Sequence, residues 1–404
     1  MAKRAQLTYA TLLVLIVAGV VLVYAWRGRI MQWIFAPTAS NIPQGVNAPL
    51  PPAGAPAAEQ PDQNKGQNEV SEVGDNRKED IAVVTQGLKI PWEMVFLPDG
   101  DLLVTERPGT LKRIGRDGAV IPVDGVAHRG EGGLLGMALH PRFIDNHLVY
   151  LYLTTNDFGK LRNRVERYRL EGDTLDQRHV IIDGVPGAQN HDGGRIAFGP
   201  DGLFYITTGD AQDSTLAQDR NSLAGKILRI NDDGSIPADN PFGNAVYSYG
   251  HRNPQGLAWD SAGRLWATEH GRSGVLSGLD ELNLIVRGGN YGWPVIQGDE
   301  TKEGMVTSVV NSGPRDTWAP SGAAFINGSI FFGGLRGQAL YQARLNGEKV
   351  NDLKIHFREQ YGRIRAVVLG PDGFLYFTTS NTDGRGRPKQ GDDKIIRVNP
   401  DIFR

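Results

Sequence analysis

From residue 81 onward, one unit recurs: a tight turn, an alternating strand, then another strand. That repeat restricts the chain to a modular β architecture. The clearest copies are Leu97-Pro98-Asp99-Gly100-Asp101-Leu102-Leu103-Val104, Gly199-Pro200-Asp201-Gly202-Leu203-Phe204-Tyr205-Ile206 and Gly370-Pro371-Asp372-Gly373-Phe374-Leu375-Tyr376-Phe377. Weaker copies start at His140-Pro141, Asp260-Ser261-Ala262-Gly263 and Asn327-Gly328. In these turns Pro presets φ, Asp caps the turn and Gly accepts positive φ. Six copies at intervals of roughly 40 to 70 residues suit blades of four strands each. Helical periodicity is nearly absent, and 52 glycines fit a turn-rich β chain. The expectation for 81–404 is an all-β domain, a six-bladed β-propeller with four-stranded blades.

Ahead of the repeat lie two segments of different character. Tyr9 to Trp26 is an apolar run of about 18 residues, enough to cross a bilayer core as a helix. Lys3 and Arg4 precede it, Arg27 and Arg29 follow it, and no small-residue cleavage pattern ends it. Residues 1–35 therefore read as an uncleaved transmembrane helix, a membrane anchor whose balanced flanks give no orientation. Residues 36–80, rich in Pro, Ala and Gln, read as a disordered linker.

Composition narrows the chemistry. With 43 Lys plus Arg against 45 Asp plus Glu, the chain has no general surface for nucleic acid. The absence of cysteine excludes disulfides, thiolate metal sites and Cys nucleophiles. Any important cation cluster must be local, and several loops stand out, the first being Arg129 to Gly136, whose glycines allow close backbone approach or make a plain bulge or turn. Arg252 and Asn253, between Gly250 and Pro254, set a cation beside a hydrogen-bonding amide; the same letters fit an Arg paired with a carboxylate and an Asn capping a turn. His191, in Asn190-His191-Asp192-Gly193-Gly194-Arg195, has a side chain suited to general-base work or to a plain turn. Arg363 and Arg365 share a face if their segment is extended, and Arg336 adds a further cation. The Gly271-Arg272 loop, with Asp280, Glu281 and Tyr291 nearby, carries oxygens that suit a hard cation such as calcium; alternatively Glu281 is solvated and Tyr291 packs between blades.

These loops, in order, resemble the soluble-type glucose and aldose sugar dehydrogenases that depend on pyrroloquinoline quinone (PQQ). The resemblance runs from about Gly87 to Pro400. It rests on Gly-Glu-Gly-Gly-Leu-Leu-Gly at 130–136, His-Asp-Gly-Gly-Arg at 191–195, Gly-Lys-Ile-Leu-Arg-Ile at 225–230, Gly-His-Arg-Asn-Pro-Gln-Gly at 250–256, Asp-Glu-Leu-Asn at 280–283, Gly-Gly-Asn-Tyr-Gly-Trp-Pro at 288–294 and Arg-Ile-Arg at 363–365. It implies oxidation of the anomeric hydroxyl of aldose sugars to lactones, by base-assisted hydride transfer to the quinone. His191 then matches the base, Arg252 the cation that stabilises charge on the reduced quinone, and Asn253 a second contact to its oxygens. Glu131, Arg336, Arg363 and Arg365 match cofactor-binding positions. The carbonyls of Gly271 and Arg272 match ligands of the Ca2+ at the quinone, and Glu281 and Tyr291 match a separate structural calcium.

The sequence departs from the family pattern at Arg336 (for Lys), Glu131 (for Gln), Asn190 (for Asp) and Arg272 (for Pro). Together with the apolar run, the resemblance implies an enzyme anchored in the inner membrane, with its catalytic domain periplasmic and an electron acceptor in the respiratory chain. A calcium lactonase or esterase propeller and a non-catalytic binding propeller are the competing readings.

Overall fold

The computed structural model describes residues 79–115, 118–274 and 277–404. The expected anchor, 1–35, and nearly all of the expected linker, 36–80, lie outside these residues. Among the described residues no helix is long and apolar enough to cross a membrane.

Among the described residues, twenty-four strands form six antiparallel four-stranded sheets. In chain order the blades are β2 to β5 (Pro91–Phe96, Leu102–Glu106, Thr110–Ile114, Val120–Pro122), then β6 to β9 (Leu134–Leu139, Leu148–Asp157, Lys160–Glu171, Thr174–Pro186), β10 to β13 (Ile196–Phe198, Phe204–Thr208, Lys226–Ile230, Val246–Tyr249), β14 to β17 (Pro254–Trp259, Leu265–Glu269, Glu281–Ile285, Val310–Asn311) and β18 to β21 (Pro320–Ile326, Ser329–Gly334, Ala339–Asn346, Lys349–His356). The sixth combines β22, β23 and β24 (Ile364–Leu369, Leu375–Thr379, Lys394–Val398) with β1 (Ile81–Gln86) as its outer strand. Ile81 pairs with Val398 and Gln86 with Lys394, so the two ends of the domain close the ring in one sheet.

Each of the six turns marked in the sequence joins the first and second strands of one blade. The turn aspartates also reach into the sheet: Tyr205 and Tyr376 donate their hydroxyls to Asp201 and Asp372 at 2.9 and 2.8 Å. The indole N–H of Trp266 does the same to Asp260 at 2.9 Å. The repeat is therefore a fastening of turn to strand as well as a reversal of the chain.

The second strands of the blades, such as β3, β11 (Phe204–Thr208), β15 (Leu265–Glu269) and β23, are buried throughout, because both faces of each sheet meet a neighbouring blade. Six apolar clusters result. Two of them pair Leu103 and Leu111 with Met137 and Leu151, and Trp266 with Trp318, Phe332 and Tyr341. The cluster joining the sixth blade to the first contains Ala366, Tyr376 and Ile395 against Met94 and Val104. The alternating patterns drive this packing, and every blade needs two neighbours to bury its faces.

The consequence for function is directional. The repeated turns occupy one end of the ring. At the other end lie the segments that enter each first strand and leave each second strand, and these carry the singled-out loops.

Candidate active site

At that end a cavity of about 310 Å³ is lined by residues from five blades. Glu131, His191, Arg252, Gly271, Arg272, Arg336 and Arg363 all line it. Two expected residues sit deeper. Arg365 lines a second cavity of about 10 Å³ with Trp92, Glu131 and Gln255, and Asn253 is buried behind the wall.

His191 enters β10 (Ile196–Phe198) and Asp210 follows β11 of the same blade. His191 Nδ1 is 2.7 Å from Asp210 Oδ1. Asp210 also accepts from the Gln212 amide and the Trp293 indole N–H, both at 2.9 Å. Burial pushes the Asp210 carboxyl up, but the hydrogen bond and charge of His191 and the charge of Arg252 leave it below its ordinary value. An ionised Asp210 only accepts hydrogen bonds, so Nδ1 of His191 is the donor of the pair and Nε2 faces away from it. The local fold enforces the pairing: a Cβ at Gly209 would collide with the His191 carbonyl, so glycine alone lets the two segments approach. Asp210 was not among the sequence candidates. Its signal was a carboxylate directly after a glycine at a strand end.

The arginines are less free than their spacing suggested. Arg363 gives Nε and Nη2 to Asp383 Oδ2 at 3.0 and 2.7 Å and Nη1 to the Leu335 carbonyl at 3.1 Å. Arg365 gives Nη1 to Gln255 Oε1 at 2.6 Å, while its buried Nε has no hydrogen-bond partner. The two therefore open on to different cavities instead of forming a doubled cation on one surface. Arg252 binds Glu269 through its backbone N–H and Ser273 Oγ through Nη2 at 2.8 Å, and its guanidinium lies 5.4 Å from the Trp293 ring. Its Nη1 is buried without a partner. Asn253 turns inward, accepting from the Gly193 amide at 3.0 Å and from Gln255 Nε2 at 3.3 Å.

Gly271 and Arg272, assigned to calcium by resemblance, line the cavity on a loop held by Gly271 N donating to Asp280 Oδ1 and Arg272 N to the Gly278 carbonyl, both 2.8 Å. A Cβ at Gly271 would strike the carbonyl oxygens of Gly278 and Leu279. Asp280 Oδ2 is committed to Thr317, Trp318 and Ala319. Glu281 and Tyr291 lie outside the cavity. Glu281 accepts from the Gly298 amide at 3.0 Å and Asn283 Nδ2 at 3.1 Å, and burial and then Glu269 push its carboxyl upward. Tyr291 stacks on His251 with centroids 4.6 Å apart and donates to the Leu284 carbonyl at 2.6 Å, which fits the packing alternative. Among the described residues no group of three or more His, Asp or Glu is placed to hold a metal.

Sequence reading missed two further lining residues. His270 is half-buried, its enclosed Nε2 has no partner, and burial lowers its pKa to about 3. Arg385 donates to Glu131 Oε1 and, at 2.6 Å, to Asn190 Oδ1.

The donor set fits an anionic cofactor. Burial pushes Arg365 down to about 9 and also depresses Arg252. A buried cation with an unpartnered N–H group at a cavity wall, as Arg252 has, is stabilised by a carboxylate entering that cavity. For calcium, carbonyl oxygens of the Gly271-Arg272 loop are hard donors of the right kind.

Fold and site together define a propeller of the enzyme type, with a cavity lined by His191 and several arginines at the mouth of the ring. The family model described as glucose/sorbosone dehydrogenase matches residues 88–396, and the chain belongs to that family. Aldose sugar dehydrogenase YliI of Escherichia coli is 34% identical over 360 residues, covering 79% of this chain and 92% of the relative. The PQQ-bound aldose sugar dehydrogenase of Streptomyces coelicolor is 42% identical with a TM-score of 0.73, covering 78% of this chain and 97% of that one. An oxidoreductase of Thermus thermophilus described as a glucose dehydrogenase is 45% identical with a TM-score of 0.75, covering 79% and 99%. The resemblance read from the loops is thus borne out at the level of family.

Proposed function

We infer that this protein is a quinoprotein aldose dehydrogenase that oxidises the anomeric hydroxyl of a sugar to the lactone. The observation that carries this reading is the shared cavity of His191, held by Asp210, and Arg252, with its unpartnered buried Nη1. When bound, PQQ supplies the two-electron acceptor for the hydride from C1, and Ca2+ supplies Lewis acidity at its carbonyl.

The residues present divide the remaining work. His191 Nε2 takes the proton of the anomeric hydroxyl while Asp210 stabilises the imidazolium that forms. Arg252 sets a fixed positive charge where negative charge develops. Arg336 and Arg363 on the wall would hold carboxylates of the cofactor, with Arg365 behind them adding positive charge, and the carbonyls of Gly271 and Arg272 would hold the calcium. The five arginines on the wall, Arg252, Arg272, Arg336, Arg363 and Arg385, outnumber the acids Glu131 and Asp280, which runs against a carboxylate-rich lactonase centre. The apolar run from Tyr9 to Trp26 is long enough to anchor the protein in a membrane, while the periplasmic placement and the respiratory-chain acceptor rest on the resemblance alone.

The test is reconstitution. Adding PQQ and Ca2+ to the apo-protein is expected to yield aldose-dependent dye reduction. Absence of both a bound-quinone spectrum and activity would overturn the reading.

A further inference from the structure

Arg385 reaches the site from the loop after β23, in the sixth blade, across the mouth of the ring to the second and third blades. One amino group meets Glu131 Oε1 and the other meets Asn190 Oδ1. The other oxygen of Glu131 accepts the backbone N–H of His191 at 2.9 Å. The two loops are further joined by the Glu131 amide, which donates to the Gln189 carbonyl at 2.8 Å. His191 itself sits at φ 67°, a left-handed conformation that a non-glycine residue keeps only when its surroundings hold it there.

The Glu131 carboxylate therefore has two tasks at once, and Arg385 is the cation that lets it stay charged while half-buried. We propose that Arg385 is a positioning residue for the base: by holding Glu131 Oε1 it keeps Oε2 on the His191 amide and fixes where the imidazole meets substrate. This rests on the reading of His191 as the base. Asn190, next in sequence to His191, receives the second arm of the same guanidinium, so both residues at this corner are set by one side chain.

The test is a double-mutant cycle of Arg385→Met and Glu131→Gln with two readouts. In the apo-protein labelled on histidine, Arg385→Met is expected to move the His191 ring resonances, and the double variant to return them toward wild type. In the reconstituted enzyme, Arg385→Met is expected to lower kcat about 10- to 100-fold, as a misplaced base does, with PQQ affinity nearly unchanged. The double variant is expected to regain most of that loss, since the substituted glutamine still offers an oxygen to the His191 amide and strands no charge.

Equal losses for Arg385→Met in the wild-type and Glu131→Gln backgrounds would overturn the proposal. So would unmoved His191 resonances, or a loss confined to PQQ affinity, which would make Arg385 a cofactor ligand. Arg385→Lys keeps the cation with one arm, and its expected kcat lies between wild type and Arg385→Met even where Met impairs folding. If the wild type oxidises no sugar, the functional reading fails, while the apo spectra still decide the role of Arg385.

Discussion

His191 and Asp210 are partners within one hairpin: the histidine enters β10, the aspartate leaves β11, and their side chains meet at 2.7 Å. The blade that supplies the proposed base thus also supplies the carboxylate paired with it. His191→Ala is expected to lower kcat by about 10²- to 10⁴-fold with the cofactor still bound. Asp210→Asn is expected to lower it comparably by freeing the wrong tautomer. Steady-state kinetics beside a PQQ titration check both.

Arg252 offers a different signature. Its Nη1 lacks a protein partner, so Arg252→Met removes a donor available to a ligand. Replacement is expected to weaken PQQ binding by about 10²-fold, the scale of a lost charge-assisted bond, and to lower kcat as well. A calorimetric titration of the apo-variant measures the first effect.

Gly271→Ala tests the proposed calcium loop. The added methyl meets backbone oxygens, not flexible side chains, so the loop itself has to shift. The calcium concentration needed for half-maximal reconstitution is expected to rise at least about tenfold, with His191 and Asp210 untouched.

Asp192 sets a pH dependence of stability. It is buried, accepts from Asn163 Nδ2 at 2.9 Å and the Ala188 amide at 3.1 Å, and its Oδ2 has no partner. Burial raises its pKa from 3.8 to about 7. Between these values the folded state binds a proton that the unfolded state does not, so stability falls as pH rises from about 4 to 7. The contribution is at most about 4 kcal/mol. Asp192→Asn is expected to flatten this part of the Tm-against-pH curve.

The six-bladed ring was legible because its information is local. Asp99, Asp201 and Asp372 each sit in a turn whose conformation is written in four adjacent letters, and the strands after them alternate. The site was half legible for the same reason. His191, Arg252 and Arg363 stand in distinctive loop motifs, and all three line the cavity. What escaped were partnerships made only by folding, within a blade or across the ring. Asp383 pairs with Arg363 from 20 residues away, and Arg385 meets Glu131 across 254. Neither carries a local signature, because a Gly-rich loop with charges is ordinary sequence. The inward turn of Asn253 was likewise hidden, since its partner Gly193 belongs to the neighbouring blade.

The pairing of β1 with β24 has a consequence for how the domain endures. By holding residue 81 against residue 398, it ties the domain into a loop of nearly its whole length, as a terminal cross-link would. Such a constraint acts through the conformational freedom denied to the open chain, and this sequence achieves it with hydrogen bonds and packed side chains alone. With no cysteine anywhere in the chain, the clasp is indifferent to the redox state of its surroundings.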